Sequence, residues 1–208
     1  DDGTPVRWDP CSPIELVVNN GADPPQDLTA DLVEAVEIVA EITGLDIFVA
    51  GETDEPPSAD RPAYQPARYG QRWAPVLIAW ADPGHADLPL REHDRGLAIP
   101  VAVGVDGDRT FVTGQIVLNR RRSDLTEGFE DRAGAWGATL LHELGHLMGL
   151  AHVDDPAQLM ATDPGSGPAR FGSGDVAGLT HLGAEGGCLD VPVPQHVGTS
   201  HPTDIPPR

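Results

Sequence analysis

Apolar and polar positions change rhythm several times along this chain, and each change predicts an element. Ile14 to Asn19 (Ile-Glu-Leu-Val-Val-Asn) alternates in part and is rich in β-branched residues, which predicts a first strand. From Leu28 to Leu45 the period becomes helical. Leu32, Ala35, Val36, Val39, Ile42 and Leu45 share one face, while Asp31, Glu34, Glu37 and Glu41 form a solvated one. Thr29 or Asp27 can cap the start of this helix, and Gly44 marks its end. Asp46 to Ala50 reads as a second strand and Gly51 to Arg72, rich in Pro, Asp and Gly, as a loop. Pro75 to Trp80 is a near-continuous apolar run, as in a strand buried on both faces. After a second loop, Ala81 to Arg95, come two apolar runs, Leu97–Val105 and Thr110–Leu118. Asp106-Gly107-Asp108 between them is a hairpin signal.

A further helical run starts near Ala135 and leads into His142-Glu143-Leu144-Gly145-His146-Leu147-Met148-Gly149-Leu150-Ala151-His152. Four residues apart on a helix, His142 and His146 project from one face about a turn apart, the separation two imidazoles need to share a zinc ion. Glu143 is one step round the helix, poorly placed as a ligand but able to reach a water at the metal. Gly149 permits a left-handed turn that closes the helix and returns the chain, so that His152 becomes a third ligand. Three neutral nitrogens and one open position describe a catalytic zinc site, not a closed structural one. Three histidines and a buried glutamate without a metal would be costly to desolvate.

These eleven residues resemble the metzincin signature of zinc peptidases, and the sequel is similar to its matrixin branch, the matrix-metalloproteinase-like enzymes. Leu159-Met160 falls where matrixins carry the methionine of the Met-turn, and Asp175-Val176-Ala177-Gly178-Leu179 with Leu182-Gly183 resembles their last helix, capped here by Ser173 or Asp175. Val153 and Ala161-Thr162 depart from the usual matrixin residues. The element order is an α/β (α+β) layout with one mixed sheet and helices packed on one side. The resemblance implies the metzincin form of it: a twisted mixed five-stranded sheet with an antiparallel edge strand, a zinc helix, a Met-turn and a C-terminal helix.

The resemblance also implies the chemistry: peptide hydrolysis with Zn²⁺ on His142, His146 and His152, Glu143 as general base, and Met160 as an apolar floor beneath the histidines. The edge strand would bind an extended substrate, and Leu97–Val105 is the expected edge, with Ala98, Val101, Ala102, Val103 and Gly104 as its contact positions. These residues lack the charges that usually protect an exposed edge. A non-catalytic zinc-binding or adhesion module, and an amide hydrolase with a non-protein substrate, are the other function classes this motif allows. His85-Ala86-Asp87 and His93 lack the rest of the matrixin structural-zinc motif and read as surface-loop residues, as do His181, His196 and His201. The family's calcium sites would fall in acidic loops, although no regular spacing of oxygen ligands is visible.

Composition narrows the partners. Thirteen basic against 33 acidic residues give a net charge of −20, which argues against nucleic acid and anionic membranes. The chain has no apolar run of about 18 residues, so no membrane insertion is expected. All basic residues are Arg, a coding-bias signature. Cys11 and Cys188 bracket the expected catalytic domain, 1–190. One disulfide in a secreted monomer suits them, with two buried free thiols as the alternative. Such a bridge would be worth roughly 4–5 kcal/mol in the chain-entropy model. Asp1-Asp2-Gly3 reads as the end left by processing. Residues 191–208, Pro-rich and aperiodic, read as a tail or linker.

Overall fold

The computed structural model describes residues 4–21, 27–104, 109–130, 134–162 and 167–194. Outside them lie the expected hairpin turn Asp106–Asp108, His196 and His201, and the tail beyond Pro194. The elements are β1 (Arg7–Trp8), β2 (Ile14–Asn19), α1 (Thr29–Thr43), β3 (Ile47–Glu52), α2 (Pro66–Tyr69), β4 (Val76–Ala81), β5 (Gly96–Val103), β6 (Thr110–Asn119), α3 (Trp136–Met148) and α4 (Ser173–Leu182).

They form a mixed α/β fold on one mostly parallel sheet. β3, β2, β4 and β6 run parallel in that order, and β5 pairs antiparallel with β6 from Gly96↔Leu118 to Val103↔Thr110. A strand has two edges, and β5 takes the whole of one edge of β6. The other edge is shared by β4 at the end of β6 and by β1, parallel, at its start. Among the described residues the sheet therefore has six strands and not the expected five. The additional strand is β1, whose two residues carry no readable periodicity and are in register only through their pairing with Thr110 and Phe111.

Alternation along the strands sorts the two faces. Leu16, Ile78, Ile116 and Leu118 meet Leu32, Val36 and Val39 of α1 and Leu140, Leu144 and Leu147 of α3 in the main core. On the opposite face Val17, Leu77 and Ala79 pack with Tyr69, while Val117 and Leu97 pack with Leu88 and Leu90. β4 is buried on both faces, which explains its unbroken apolar run.

The segment expected to be a plain loop, Gly51 to Arg72, contributes the end of β3 and the short helix α2, and it is fastened from inside. Arg61 Nε and Nη2 donate to the two oxygens of Glu55 at 2.8 and 2.9 Å, and Tyr69 and Gln65 add donors to the same carboxylate. Arg61 also reaches the Pro75 and Gly114 carbonyls, so the pair anchors the loop to β4 and β6. Burial pushes the Glu55 carboxyl up, but the hydrogen bonds from Arg61, Tyr69 and Gln65 outweigh it and the net shift is downward.

The helix ends are closed locally. At α1 the N-cap position is Leu28, not Thr29 or Asp27, and it makes no side-chain cap. Asp27 Oδ1 accepts the Thr29 N–H and hydroxyl, and Gly44 ends the helix in the left-handed region at φ 67°. At α4 the N-cap position is Gly172, not Ser173 or Asp175. Asp175 sits three residues on, and its Oδ2 accepts the Gly172 N–H at 3.0 Å, because the chain before the helix folds back over that carboxylate. Cys11 and Cys188 form a disulfide across 177 residues.

Candidate metal centre

α3 enters the site as a buried apolar rod. Trp136, Leu140, Leu141, Leu144 and Leu147 are inaccessible or nearly so, leaving one stripe with His142 and His146 facing outward, half-buried. Gly149, at φ 110°, turns the chain: its N–H returns to the His146 carbonyl and that of Leu150 to the Gly145 carbonyl. His152 then swings back, and the Nε2 atoms of His142, His146 and His152 lie 3.1 Å from one another in all three pairs.

The protonation of two rings follows from their other nitrogens. His142 Nδ1 faces the Leu159 carbonyl at 3.1 Å and His146 Nδ1 the Leu150 carbonyl at 2.8 Å. A carbonyl only accepts, so each Nδ1 carries the proton and each Nε2 presents a lone pair. Lone pairs converging at this distance repel unless a cation lies between them. Tetrahedral zinc with bonds of 2.0–2.1 Å sets its ligand nitrogens about 3.3–3.4 Å apart, so the triangle fits that ion. Among the described residues, the other cluster with metal-ligand atoms is Asp9, Cys11 and Cys188, whose sulfurs are committed to the disulfide. The acidic loops supply no such group among those residues.

Glu143 is 6% exposed, on the flank of α3 that meets the start of β5. A Cβ at Gly96 would lie 2.8 Å from Glu143 Cγ and 3.0 Å from Oε1, so the carboxylate occupies space that any side chain at position 96 would take. Met160 is buried against α3, where a Cβ at Gly145 would stand 2.6 Å from its sulfur. The turn that holds it is tied to the third histidine's neighbour, with Val153 N–H to Met160 O and Thr162 N–H to Val153 O, both 3.0 Å. From behind, Asp175 Oδ2 accepts the Leu159 N–H at 2.6 Å, while Gln158 Oε1 accepts the Gly174 and Asp175 N–H groups. The start of α4 thus fixes the residue whose carbonyl orients His142.

No protein-family model and no curated protein matches the chain. Among solved structures it is similar to archaemetzincin from Methanopyrus kandleri, at 17% identity and a TM-score of 0.45, over 88% of this chain and 97% of that one.

The remaining residues singled out from sequence fall in two groups. Ala98, Val101 and Ala102 lie half-buried on β5, Val103 is buried there, and exposed Gly104 follows the strand. The Ala81–Arg95 loop packs on β5 through Leu88 and Leu90, which meet Leu97 and Ile99. His85, Asp87, His93 and His181 are exposed and do not assemble; His93 stands 3.9 Å from Asp94. Gly96 and Gln158 carried no sequence signal, because each is defined by what tertiary contact brings against it.

Proposed function

We propose that the chain is a zinc-dependent endopeptidase of the metzincin class and matrixin-like branch, working outside the cell as a monomer on protein or peptide substrates. The observation that carries this reading is the convergence of three Nε2 atoms at a helix that also carries the buried Glu143. The disulfide supports an extracellular setting. Residues 1–190 would be the catalytic domain and 191–208 a tail.

His142, His146 and His152 would hold the ion, with the Leu159 and Leu150 carbonyls fixing two of the rings. Zinc at this position supplies Lewis acidity toward the scissile carbonyl and toward water. Glu143, held against Gly96, accepts the proton of the attacking water and passes it to the leaving amine. The outer edge of β5 offers main-chain groups to an extended substrate, which α3 flanks at Glu143. Met160 keeps the floor apolar, leaving Glu143 as the acid–base group of the site.

The test is digestion of casein by the native protein and by Glu143→Ala, with and without a chelator. Expected are chelator-sensitive cleavage by the native protein, and no cleavage by the variant despite a full equivalent of bound zinc. Loss of zinc in the variant, or undiminished turnover, would overturn the assignment of Glu143. A native protein that binds zinc but cleaves no protein substrate would overturn the endopeptidase reading.

A further inference from the structure

The last turn of any helix leaves carbonyls without intrahelical partners. In α3 two of them are closed by the following turn, Gly145 O by Leu150 N–H and His146 O by Gly149 N–H. The next one, Leu147 O, is closed from 139 residues away: the buried indole N–H of Trp8 donates to it at 2.9 Å. The N-terminal segment presses on the same turn, since a Cβ at Gly149 would meet the Val6 carbonyl at 3.3 Å and the Phe111 ring at 3.2 Å. The segment is itself pinned. Arg7 Nη2 donates to the Gly186 carbonyl at 2.6 Å, and Asp9 Oδ1 accepts the Cys11 and Leu189 N–H groups at 3.2 and 3.0 Å, spanning the Cys11–Cys188 bridge.

The turn under this clamp lies between the second and third histidines. Its Leu150 carbonyl orients His146, and its path delivers His152. We propose that Trp8 is a positioning residue for the metal centre, acting through the Leu147 carbonyl and the Gly149 turn to set the His146–His152 geometry. The inference rests on the zinc reading above and adds to it a control element remote from the signature motif.

The experiment compares zinc affinity, by competition with a chromogenic chelator, in the native protein, Trp8→Phe and Trp73→Phe. Trp73 also donates its indole N–H to a carbonyl, that of Pro192, and serves as the control away from α3. Expected is a rise of about tenfold or more in the dissociation constant for Trp8→Phe, in line with removal of an outer-shell partner, and none for Trp73→Phe. The visible spectrum of the Co²⁺-substituted protein should shift in Trp8→Phe alone. Should Trp8→Phe fail to fold, the native protein decides by linkage: zinc must slow solvent exchange of the Trp8 indole N–H, read by NMR, and leave that of Trp73 unchanged. Unchanged affinity and spectrum in a folded variant, or no slowing at Trp8 in the native protein, overturns the proposal alone. A native protein that takes up no zinc overturns the zinc reading with it.

Discussion

At the scale of single residues, the site depends as much on a missing side chain as on the ones present. Glu143 rests where a Cβ at position 96 would stand, so Gly96→Ala must move the carboxylate or the start of β5. Either shift would displace Glu143, the proposed base, without altering the three imidazole ligands themselves. The expected result is a fall in kcat of up to about 100-fold, the cost of an ångström-scale misplacement, with zinc content and KM near native. Steady-state kinetics with metal analysis checks it. The histidines and Glu143 were legible in sequence because α-helical spacing and a glycine turn are local rules. Gly96 was not, because its neighbour lies 47 positions along the chain and only the β5–α3 packing brings them together.

At the scale of elements, β5 is bonded to β6 along one side, and its other side is the proposed substrate edge. A proline at Ala102 removes one N–H and should raise peptide KM about 2- to 12-fold if that group binds substrate, as loss of a net 0.5–1.5 kcal/mol hydrogen bond requires. Zinc content should stay native, and an unaltered KM would remove this edge from the binding account. The loop fastened by Glu55 and Arg61 yields a pH prediction. The Glu55 carboxyl is held below its usual range, so its stabilisation is full above roughly pH 4.3 and fades as pH falls through the lowered value. Glu55→Gln should therefore cost about 2 kcal/mol or more at neutral pH, with the deficit closing below pH 4, measured by urea unfolding across pH. Strong periodicity made α1, β4 and α3 readable from sequence. α2 and β1 were not, since four and two residues carry no period and take their form from contacts with Glu55 and β6.

For the whole molecule, the Cys11–Cys188 bridge closes nearly the full described length of the chain. Reduction should lower stability by about 5 kcal/mol if the unfolded chain is unstructured, seen as a shift of the urea midpoint between oxidised and reduced protein. The sheet order, by contrast, could not be read from local pattern. β2, β4 and β6 are all apolar runs, and their sequence alone does not say which lies next to which.

One consequence of the way α3 is held concerns observation. An indole marks each end of this helix: Trp136 is its first residue, and Trp8 is bonded to its last turn. At 1.5 Å rise per residue, Trp136 stands about 9 Å along the axis from His142, and both rings are buried. A paramagnetic ion such as Co²⁺ bound by the histidines would quench their ultraviolet emission. The protein thus carries its own optical gauge of site occupancy, readable during a titration without a dye or a substrate.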